Sequence, residues 1–535
     1  MNPAKIKAKA RASIASNQFD EARSLLTELC EKRPSDADAW HLLGAIHGML
    51  GQNEQAEICA RKVIELNPGV AAAYNNLASS LLAQKKHAEA EAVVEKAVKL
   101  GPNDPQALNN CGSLLLARKE YKKAADCFRQ AILFKPDYAE AHNNLGSALL
   151  GMDRINEAVV SLEKALQLMP GYPDALYNYG QAAYQLGKYD IAQNAYSHVL
   201  KLRPDHCLAL LGAAEVFKQK KMYEQAVNCY EAAMRIAPNL TDVYIGYATL
   251  LQKTNQHAKA LEFLGKALEI DPDCMEALHY SGASMKELGN IEAATQFFNH
   301  ALKVNPDFVQ AKHMLATMGI ADVPEKADPK YVSELFDAYA ASFDENLVVD
   351  LQYRIPQELH SVVTPLLGMP EQKLDVLDLG CGTGLCAPLF KPWCKTLTGV
   401  DLSRKMVVKA EELGLYDSLI IADLLEPLSA SECCYDLILA ADVLNYFGDL
   451  EDVFMGFARS LRKGGIAAFS IELLQDCATD YVLHGGGRYA QSAKYIETIA
   501  GNAALSIHTS RETVLRKEKG EPVRGVIYIL VKNGL

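Results

Sequence analysis

The sequence predicts two folds in one chain, an all-helical repeat array followed by an α/β domain with a parallel sheet. Prolines that recur every 34 residues up to position 306 predict the array. The run 377–384 predicts the α/β domain, because it reads as the end of a buried strand followed by a glycine-rich turn. An acid at position 401, after a second predicted strand, completes the pattern.

Length and composition are those of a multidomain globular protein. The 535 residues exceed one ordinary core, and 49% of them are apolar and 22% charged. The net charge of −12 argues against a nucleic-acid substrate, because phosphate binding needs basic surface. No apolar run approaches the ~20 residues of a membrane span.

The 13 cysteines are scattered along the chain and favour reduced, buried thiols. No Cys-x-x-Cys pair occurs, and the adjacent Cys433 and Cys434 suit neither an ordinary disulfide nor a tetrahedral zinc site. The sequence therefore predicts a cytoplasmic protein without a bound metal.

Three ladders with a period of 34 define the array over nine units. They consist of prolines (Pro34, Pro68, Pro102, Pro136, Pro170, Pro204, Pro238, Pro272, Pro306), alanines (Ala22, Ala56, Ala90, Ala124, Ala158, Ala192, Ala226, Ala260, Ala294) and small residues (Ala10, Gly44, Ala78, Gly112, Gly146, Gly180, Ala214, Ala248, Gly282). Small residues let two helices pack closely, and each proline ends a helix because it lacks a backbone donor.

This pattern resembles the tetratricopeptide repeat (TPR). The resemblance implies nine helical hairpins and a capping stretch over residues 1–318, stacked so that the first helices line a concave groove. Residues 319–330, with two prolines among charged residues, are predicted to be a linker to a third segment, 331–535.

One further ladder concerns partner binding and consists of Asn76, Asn110, Asn144 and Asn178. In TPR proteins this position faces the groove, and an amide can pair with the backbone of a bound protein or peptide. The alternative is that asparagine is a tolerated polar residue on a solvated face.

The segment 331–347 carries aromatic residues at helical spacing, including Tyr339 and Phe343. Strands are predicted at 374–379, 396–400, 419–422, 435–440 and 466–471, with a late antiparallel hairpin at 505–511 and 526–531. Ligands of a parallel sheet bind beyond the carboxyl ends of its strands. The segments that follow these strands are therefore the candidate site.

The run 377–384 with the later acid resembles motif I of class I S-adenosylmethionine (SAM)-dependent methyltransferases more than a nicotinamide fingerprint. The resemblance implies cofactor-binding roles for Asp378, Gly380, Cys381, Gly382, Thr383, Gly384, Asp401, Leu402, Asp423 and Leu424. In these roles Asp378 holds the ammonium group, the glycine turn cradles the methionine part, Asp401 binds the ribose and Asp423 the adenine amino group. Tyr339 and Phe343 are lid candidates, because aromatic faces attract the sulfonium cation.

Candidate bases or orienting groups are Asp442 and Tyr446 after the fourth strand, and His484. The glycine-rich run 484–489 looks like a mobile substrate loop in which Arg488, beside Tyr489, binds an acidic acceptor. The competing interpretations are an ordinary loop acid, a surface histidine and a flexible surface turn.

The whole chain resembles bacterial predicted methyltransferases that carry TPR repeats, including the runs 336–340, 353–356 and 488–492. This implies an all-α TPR solenoid followed by a Rossmann-like class I methyltransferase domain. The loop after the fourth strand lacks the Asn-Pro-Pro-Tyr motif and the paired glutamates of amide, base and arginine methyltransferases. Three functions stay open: methylation of a protein recruited by the TPR groove, oxygen- or carboxyl-directed methylation of a small molecule with the array as a scaffold, and binding without catalysis.

Overall fold

The computed structural model describes residues 2–340, 343, 353–475, 479–518 and 520–533. It divides into two compact units, Met1–Pro238 and Asn239–Leu535, which are described separately below.

The described part of the first unit consists of helices that alternate between 13 and 14 residues in length. They are α1 Pro3–Ala15, α2 Phe19–Lys32, α3 Ala37–Met49, α4 Asn53–Leu66, α5 Ala71–Ala83, α6 His87–Leu100, α7 Pro105–Ala117, α8 Tyr121–Phe134, α9 Ala139–Gly151, α10 Ile155–Leu168, α11 Pro173–Gln185, α12 Tyr189–Leu202, α13 Cys207–Gln219 and α14 Tyr223–Ile236. The ladder prolines follow the ends of the even-numbered helices, as predicted.

The turn inside each hairpin repeats one backbone conformation that the sequence did not reveal. The residue two positions after the first helix has a positive φ, as at Asn17, Lys85 and Asp153. In the first hairpin the Gln18 amide donates to the Ser13 carbonyl at 2.8 Å, which closes the end of α1. Because lysine, asparagine, aspartate and glycine share this place, no single residue type marks it.

The small-residue ladder makes room for one large side chain of the second helix in the same hairpin. A Cβ added at Gly112 would lie 2.6 Å from Cε1 of the buried Phe128, and one at Gly180 would lie 2.7 Å from Cε1 of Tyr196. Each pair is 16 positions apart, so the match between small and large residues repeats along the array.

The second unit begins with five helices that continue the 34-residue pattern: α15 Thr241–Lys253, α16 His257–Ile270, α17 Met275–Glu287, α18 Ile291–Val304 and α19 Val309–Thr317. The later helices are α20 Pro329–Tyr339, α21 Ile355–Leu367, α22 Ala387–Phe390, α23 Arg404–Glu412, α24 Leu425–Ala430, α25 Glu451–Ser460 and α26 Ala493–Asn502. The strands are β1 Leu374–Leu379, β2 Cys394–Asp401, β3 Ser418–Ile421, β4 Tyr435–Ala440, β5 Leu461–Leu474, β6 Tyr481–Leu483, β7 Tyr489–Ser492, β8 Leu505–Glu518 and β9 Glu521–Lys532.

Within the described residues these strands form one sheet, in the order β3-β2-β1-β4-β5. Those five strands are parallel, and β9 runs antiparallel between β5 and β8. The two short strands β6 and β7, which the sequence did not predict, pair at the far end of β5. The carboxyl ends of β1 to β4 therefore lie at one edge.

Successive residues of the central strands face two different cores. On β1, Val376 packs in the layer that includes Leu359 of α21, whereas Leu377 packs in the layer of Phe454 and Phe457 of α25. Side chains that alternate between two apolar layers are expected for a sheet covered by helices on both faces.

The segment predicted as a linker hydrogen-bonds to the loop after β4. The carbonyl oxygen of Glu325 accepts from the amides of Gly448 and Asp449 at 2.7 and 2.9 Å, and the Ala327 amide donates to the Tyr446 carbonyl at 2.8 Å. The boundaries 1–318, 319–330 and 331–535 stay a prediction. The described residues contain no helix with the length and apolar character that crossing a membrane requires.

The fit between Gly112 and Phe128 predicts the effect of one methyl group. Gly112→Ala forces Phe128 to move within the core, so we expect a loss of about 1–3 kcal/mol of stability. Gly48→Ala is the matched control, because a Cβ there has open space around it. Circular dichroism should show a lower unfolding midpoint for the first variant alone, and equal midpoints would contradict this packing.

Candidate active site

The turn after β1 has a backbone that favours glycine at three places. Gly380, Gly382 and Gly384 have φ values of 63°, 54° and 91°, in the left-handed region. A Cβ at Gly380 would lie 2.4 Å from Cγ2 of Val443, and one at Gly384 would lie 2.7 Å from Cδ1 of Leu413. Close packing therefore requires glycine at 380 and 384, and the backbone favours glycine at all three positions.

Hydrogen bonds to the end of β2 hold this turn in place. The Cys381 amide donates to the carbonyl oxygen of Val400 at 3.0 Å, and the Gly382 amide donates to Oδ2 of Asp401 at 2.9 Å. The Gly384 amide donates to the Cys381 carbonyl at 2.9 Å. These three amides already donate to groups of the protein. The turn therefore contributes to the cavity mainly through the open space next to Gly382, where a Cβ would have only Phe343 nearby.

Asp401 uses both carboxylate oxygens to fix the local backbone. Oδ2 accepts from Gly382, and Oδ1 accepts from the Ser403 amide at 2.8 Å. Burial raises the pKa of this carboxyl, and the amide hydrogen bonds act in the opposite direction. Each oxygen keeps a second lone pair for a ligand hydroxyl. Leu402 lines the cavity beside it.

Asp378 lies beneath the turn and is only 1% exposed. Its Oδ2 accepts a hydrogen bond from the Tyr416 hydroxyl at 2.7 Å. Burial raises the pKa of Asp378 to about 7, although the bond from Tyr416 lowers it. A buried carboxylate without a neighbouring cation is suited to receive one from a ligand.

Asp423, beyond β3, is already paired with a cation that the sequence analysis missed. Lys326 places Nζ 3.0 Å from Oδ2, while Oδ1 accepts from the Leu425 amide at 2.9 Å. Lys326 comes from the segment predicted as a linker, 97 residues earlier, so no local pattern could indicate the pair. Leu424 lines the cavity next to Asp423.

These residues surround one cavity at the carboxyl edge of the sheet, with about 1070 Å³ of space that is partly open to solvent. Its lining combines the glycine turn and Thr383 with the strand-end acids, the loop after β4 and one face of α20. Small-molecule sites of proteins share this mixture of apolar walls and few polar groups.

Of the two predicted lid residues, Phe343 lines the cavity and Tyr339 does not. Phe343 lines the cavity, with Cε1 3.8 Å from the Cβ position of Gly382 and its ring 5.9 Å from that of Phe336. Tyr339 is 52% exposed and does not line the cavity. The predicted lid residues 341–342 and 344–347 lie outside the described residues.

Asp442 lines the cavity but is tied to a buried arginine. Nη1 of Arg516 lies 3.1 Å from its Oδ1 and 3.4 Å from its Oδ2, and the Asn445 amide donates to Oδ1 at 2.9 Å. Arg516 also pairs with Glu472 and with Glu518, at 2.8 Å from the latter. Arg516, which was not among the predicted site residues, lies on β8, 74 residues after Asp442.

Arg488 and Tyr446 meet in the wall of the cavity. Nε of Arg488 lies 3.4 Å from the Tyr446 hydroxyl, and Nη1 donates to Glu518 at 2.8 Å. Tyr489 instead points away and donates its hydroxyl to the Pro324 carbonyl at 2.8 Å. His484 is exposed and is not part of the lining.

The turn that carries Arg488 packs on the last helix of the 34-residue pattern. His313 of α19 lies with Nε2 3.0 Å from the Gly487 carbonyl, and its ring stacks on Tyr331 at 4.1 Å. Burial lowers the pKa of His313, so a neutral ring donates this bond. Lys286 of α17 pairs with the Gly485 carbonyl.

The asparagine ladder forms hydrogen bonds between neighbouring hairpins of the first unit. Asn110 donates to the Asn75 carbonyl at 3.0 Å, Asn144 donates to Asn109 Oδ1 at 3.0 Å, and Asn178 donates to Asn143 Oδ1 at 2.8 Å. Asn76 differs, because its described contact is a hydrogen bond that its backbone carbonyl accepts from the Ser80 hydroxyl at 2.8 Å. For three of the four amides, donors are thus used to join hairpins.

Comparisons with known proteins agree with both parts of the chain. A family model described as a methyltransferase domain matches residues 377–469. Models described as tetratricopeptide or TPR repeats match residues 4–46, 37–69, 69–132, 112–153, 149–214, 217–285 and 284–308.

Curated relatives of this chain are methyltransferases, and each matches only part of it. The chain is 34% identical over 132 residues to methyltransferase-like protein 27 of Homo sapiens, which covers 24% of this chain and 51% of that protein. It is 32% identical over 95 residues to the malonyl-[acyl-carrier protein] O-methyltransferase of Hamiltonella defensa, covering 18% and 36%. The chain thus spans about half or less of the length of these relatives.

Among solved structures, a chain of the APC/C hetero-tetramer Cut9–Hcn1 matches with a TM-score of 0.46 and 17% identity, over 53% of this chain and 57% of that one. The predicted fold class, an all-helical repeat array followed by a Rossmann-like α/β domain, is confirmed by the helices, the sheet and the family models. The chain therefore combines tetratricopeptide repeats with a class I methyltransferase domain.

Proposed function

We propose that the chain is a SAM-dependent methyltransferase whose acceptor is carried by a protein that the repeats recruit. The observation that carries this proposal is the convergence of Asp378, Asp401 and Asp423 with the left-handed glycine turn on one cavity. A methyltransferase domain implies the use of SAM in general. When bound, SAM supplies an electrophilic methyl group.

The residues present fit this cofactor. Asp378 offers a buried negative charge for the ammonium group, and Asp401 has lone pairs left for two hydroxyls. The space above Gly382, with Phe343 beyond it, admits a ligand close to the backbone. Asp423 would accept from the adenine amino group while still paired with Lys326. The protein's own contribution is to orient the reactants and to exclude water.

Two observations support a protein-borne acceptor. TPR repeats typically bind proteins, and one relative is named for an acceptor group attached to an acyl-carrier protein. The asparagine amides do not carry this part of the proposal, because three of them join neighbouring hairpins. A free small molecule is the second candidate, since Arg488 and Tyr446 could hold one directly in the cavity.

The proposal predicts that the full chain binds SAM and that Asp401→Asn does not. Losing this carboxylate removes the ribose acceptor and loosens the glycine turn, so we expect affinity to fall by about 100-fold or more. Calorimetry measures both proteins, with the exposed Asp452→Asn as the matched control. Absence of SAM binding by the wild-type chain would refute the proposed function.

The acceptor class is tested with the same proteins. An extract of a deletion strain is incubated with methyl-labelled SAM and either the wild-type chain or Asp401→Asn. We expect label in the macromolecular fraction with the wild-type chain alone, and label confined to small molecules would favour the second candidate.

The raised pKa of Asp378 predicts that SAM affinity depends on pH. The pKa of Asp378 is about 7, so its carboxyl is mostly neutral at lower pH, whereas the α-amino group of SAM stays protonated up to a pH of about 8. Because the ionised form attracts the ammonium group, affinity should rise toward neutral pH, by up to about tenfold per unit.

Calorimetry over this pH range provides the measurement. Asp378→Asn should bind more weakly and lose most of the dependence, and a smaller part can remain from Asp401, whose pKa burial also raises. A flat profile for the wild-type chain would exclude this role of Asp378.

A further inference from the structure

We propose that the acceptor group is a carboxylate, which Arg488 and Tyr446 hold for conversion to a methyl ester. This proposal rests on the proposed function and names the chemistry of its acceptor. Among the described residues that line the cavity, Arg488 is the sole cationic side chain. Its guanidinium carbon lies 6.0 Å from the centre of the Tyr446 ring, so both polar groups meet at one place in the wall.

The fork of Arg488 is only partly used inside the protein. Nη1 donates to Glu518, and Nε reaches the Tyr446 hydroxyl at the long distance of 3.4 Å. Nη2 has no hydrogen-bond partner within the described part of the chain. The two oxygens of a planar carboxylate can accept from Nη2 and from an adjacent donor together. The fork of an arginine side chain matches this geometry, and it therefore favours a carboxylate as the bound anion.

The acid that pairs directly with Arg488 is partly solvated. Asp442 and Glu472 both pair with the buried Arg516, which is 1% exposed. Glu518 is shared by both arginines and is 43% exposed, so water screens its charge. A carboxylate at Nη2 would therefore meet an arginine whose strongest competitor is partly solvated.

Within the described residues, the cavity also lacks a histidine, a lysine or an uncommitted acid that could take a proton from an acceptor. No histidine or lysine is found among its described lining residues, and Asp442 is committed to Arg516 and Asn445. Asp378, Asp401 and Asp423 face the proposed cofactor. An acceptor that is already ionised needs no base, which favours a carboxylate over a hydroxyl or a protonated amine.

His313 of α19, which is not part of the sheet, holds the turn that carries Arg488. His313 bonds to Gly487 and stacks on Tyr331, and Gly487 has a φ of 84° with its Cβ position 3.0 Å from Nε2 of His313. These contacts fix the backbone directly before Arg488, so His313 is a positioning residue for the acceptor site.

The reaction balances without a further reagent. A lone pair of one carboxylate oxygen forms a bond to the methyl carbon, and the carbon–sulfur bond breaks with its electron pair going to sulfur. The sulfonium becomes a neutral thioether, the carboxylate becomes a neutral ester, and no proton is transferred. The acceptor thereby loses the charge that Arg488 binds, which helps the product to leave.

The test determines the chemical stability of the transferred methyl group. After the labelling of extract described above, the product is treated with mild alkali, which releases the methyl group of an ester as volatile methanol. We expect most of the label in the volatile fraction. Label that survives alkali, as N-methyl, S-methyl or ether groups do, would overturn the carboxylate proposal while leaving the methyltransferase proposal intact.

Variants connect this product to the site. Arg488→Gln should lower alkali-labile labelling by about 10- to 100-fold, with Arg488→Lys intermediate, and should leave SAM affinity by calorimetry unchanged. Arg524→Gln, at an exposed arginine of β9, is the matched control and should label normally. Equal labelling by Arg488→Gln and the control would contradict the assignment, and loss of SAM binding in Arg488→Gln would show a structural role instead.

Discussion

The left-handed turn after β1, closed by the carboxylate of Asp401, is the constraint on which the proposed cofactor site depends. Three glycines in this turn have left-handed φ values, and a Cβ at Gly380 or Gly384 would collide with a neighbouring side chain. The hydrogen bond from Gly382 to Asp401 joins the ends of two adjacent parallel strands. The turn therefore fixes the carboxyl ends of β1 and β2 relative to each other, and the cavity lies beyond these ends.

The same edge of the sheet gathers charges that separate into two groups. On the proposed cofactor side Asp378 is buried and pairs with no cation among the described residues, and burial raises its pKa. On the other side the buried Arg516 pairs with Asp442 and Glu472, and removing one partner of this network would leave another charge unpaired. The proposed ligands differ accordingly, with a cationic ammonium group on the first side and a carboxylate at Arg488 on the second.

Within the second unit, direct contacts join the end of the repeats to the proposed site. Lys326 pairs with Asp423, and Glu325 accepts two amides from the loop after β4. His313 and Lys286, from the last repeat helices, hold the turn of Arg488. A change in these helices would reach the turn of Arg488 through direct contacts.

The sequence by itself determined the repeat period, the bounds of β1 and β4, and the glycine turn with its following acids. These features depend on the spacing of nearby residues and on glycines that suit a left-handed backbone. Tertiary structure alone decided that Arg516 and Lys326 enter the site, that Tyr339 lies outside the cavity, and that Asn144 joins two hairpins. Such contacts connect positions tens of residues apart, and their partners depend on how strands and helices pack rather than on neighbours in the chain.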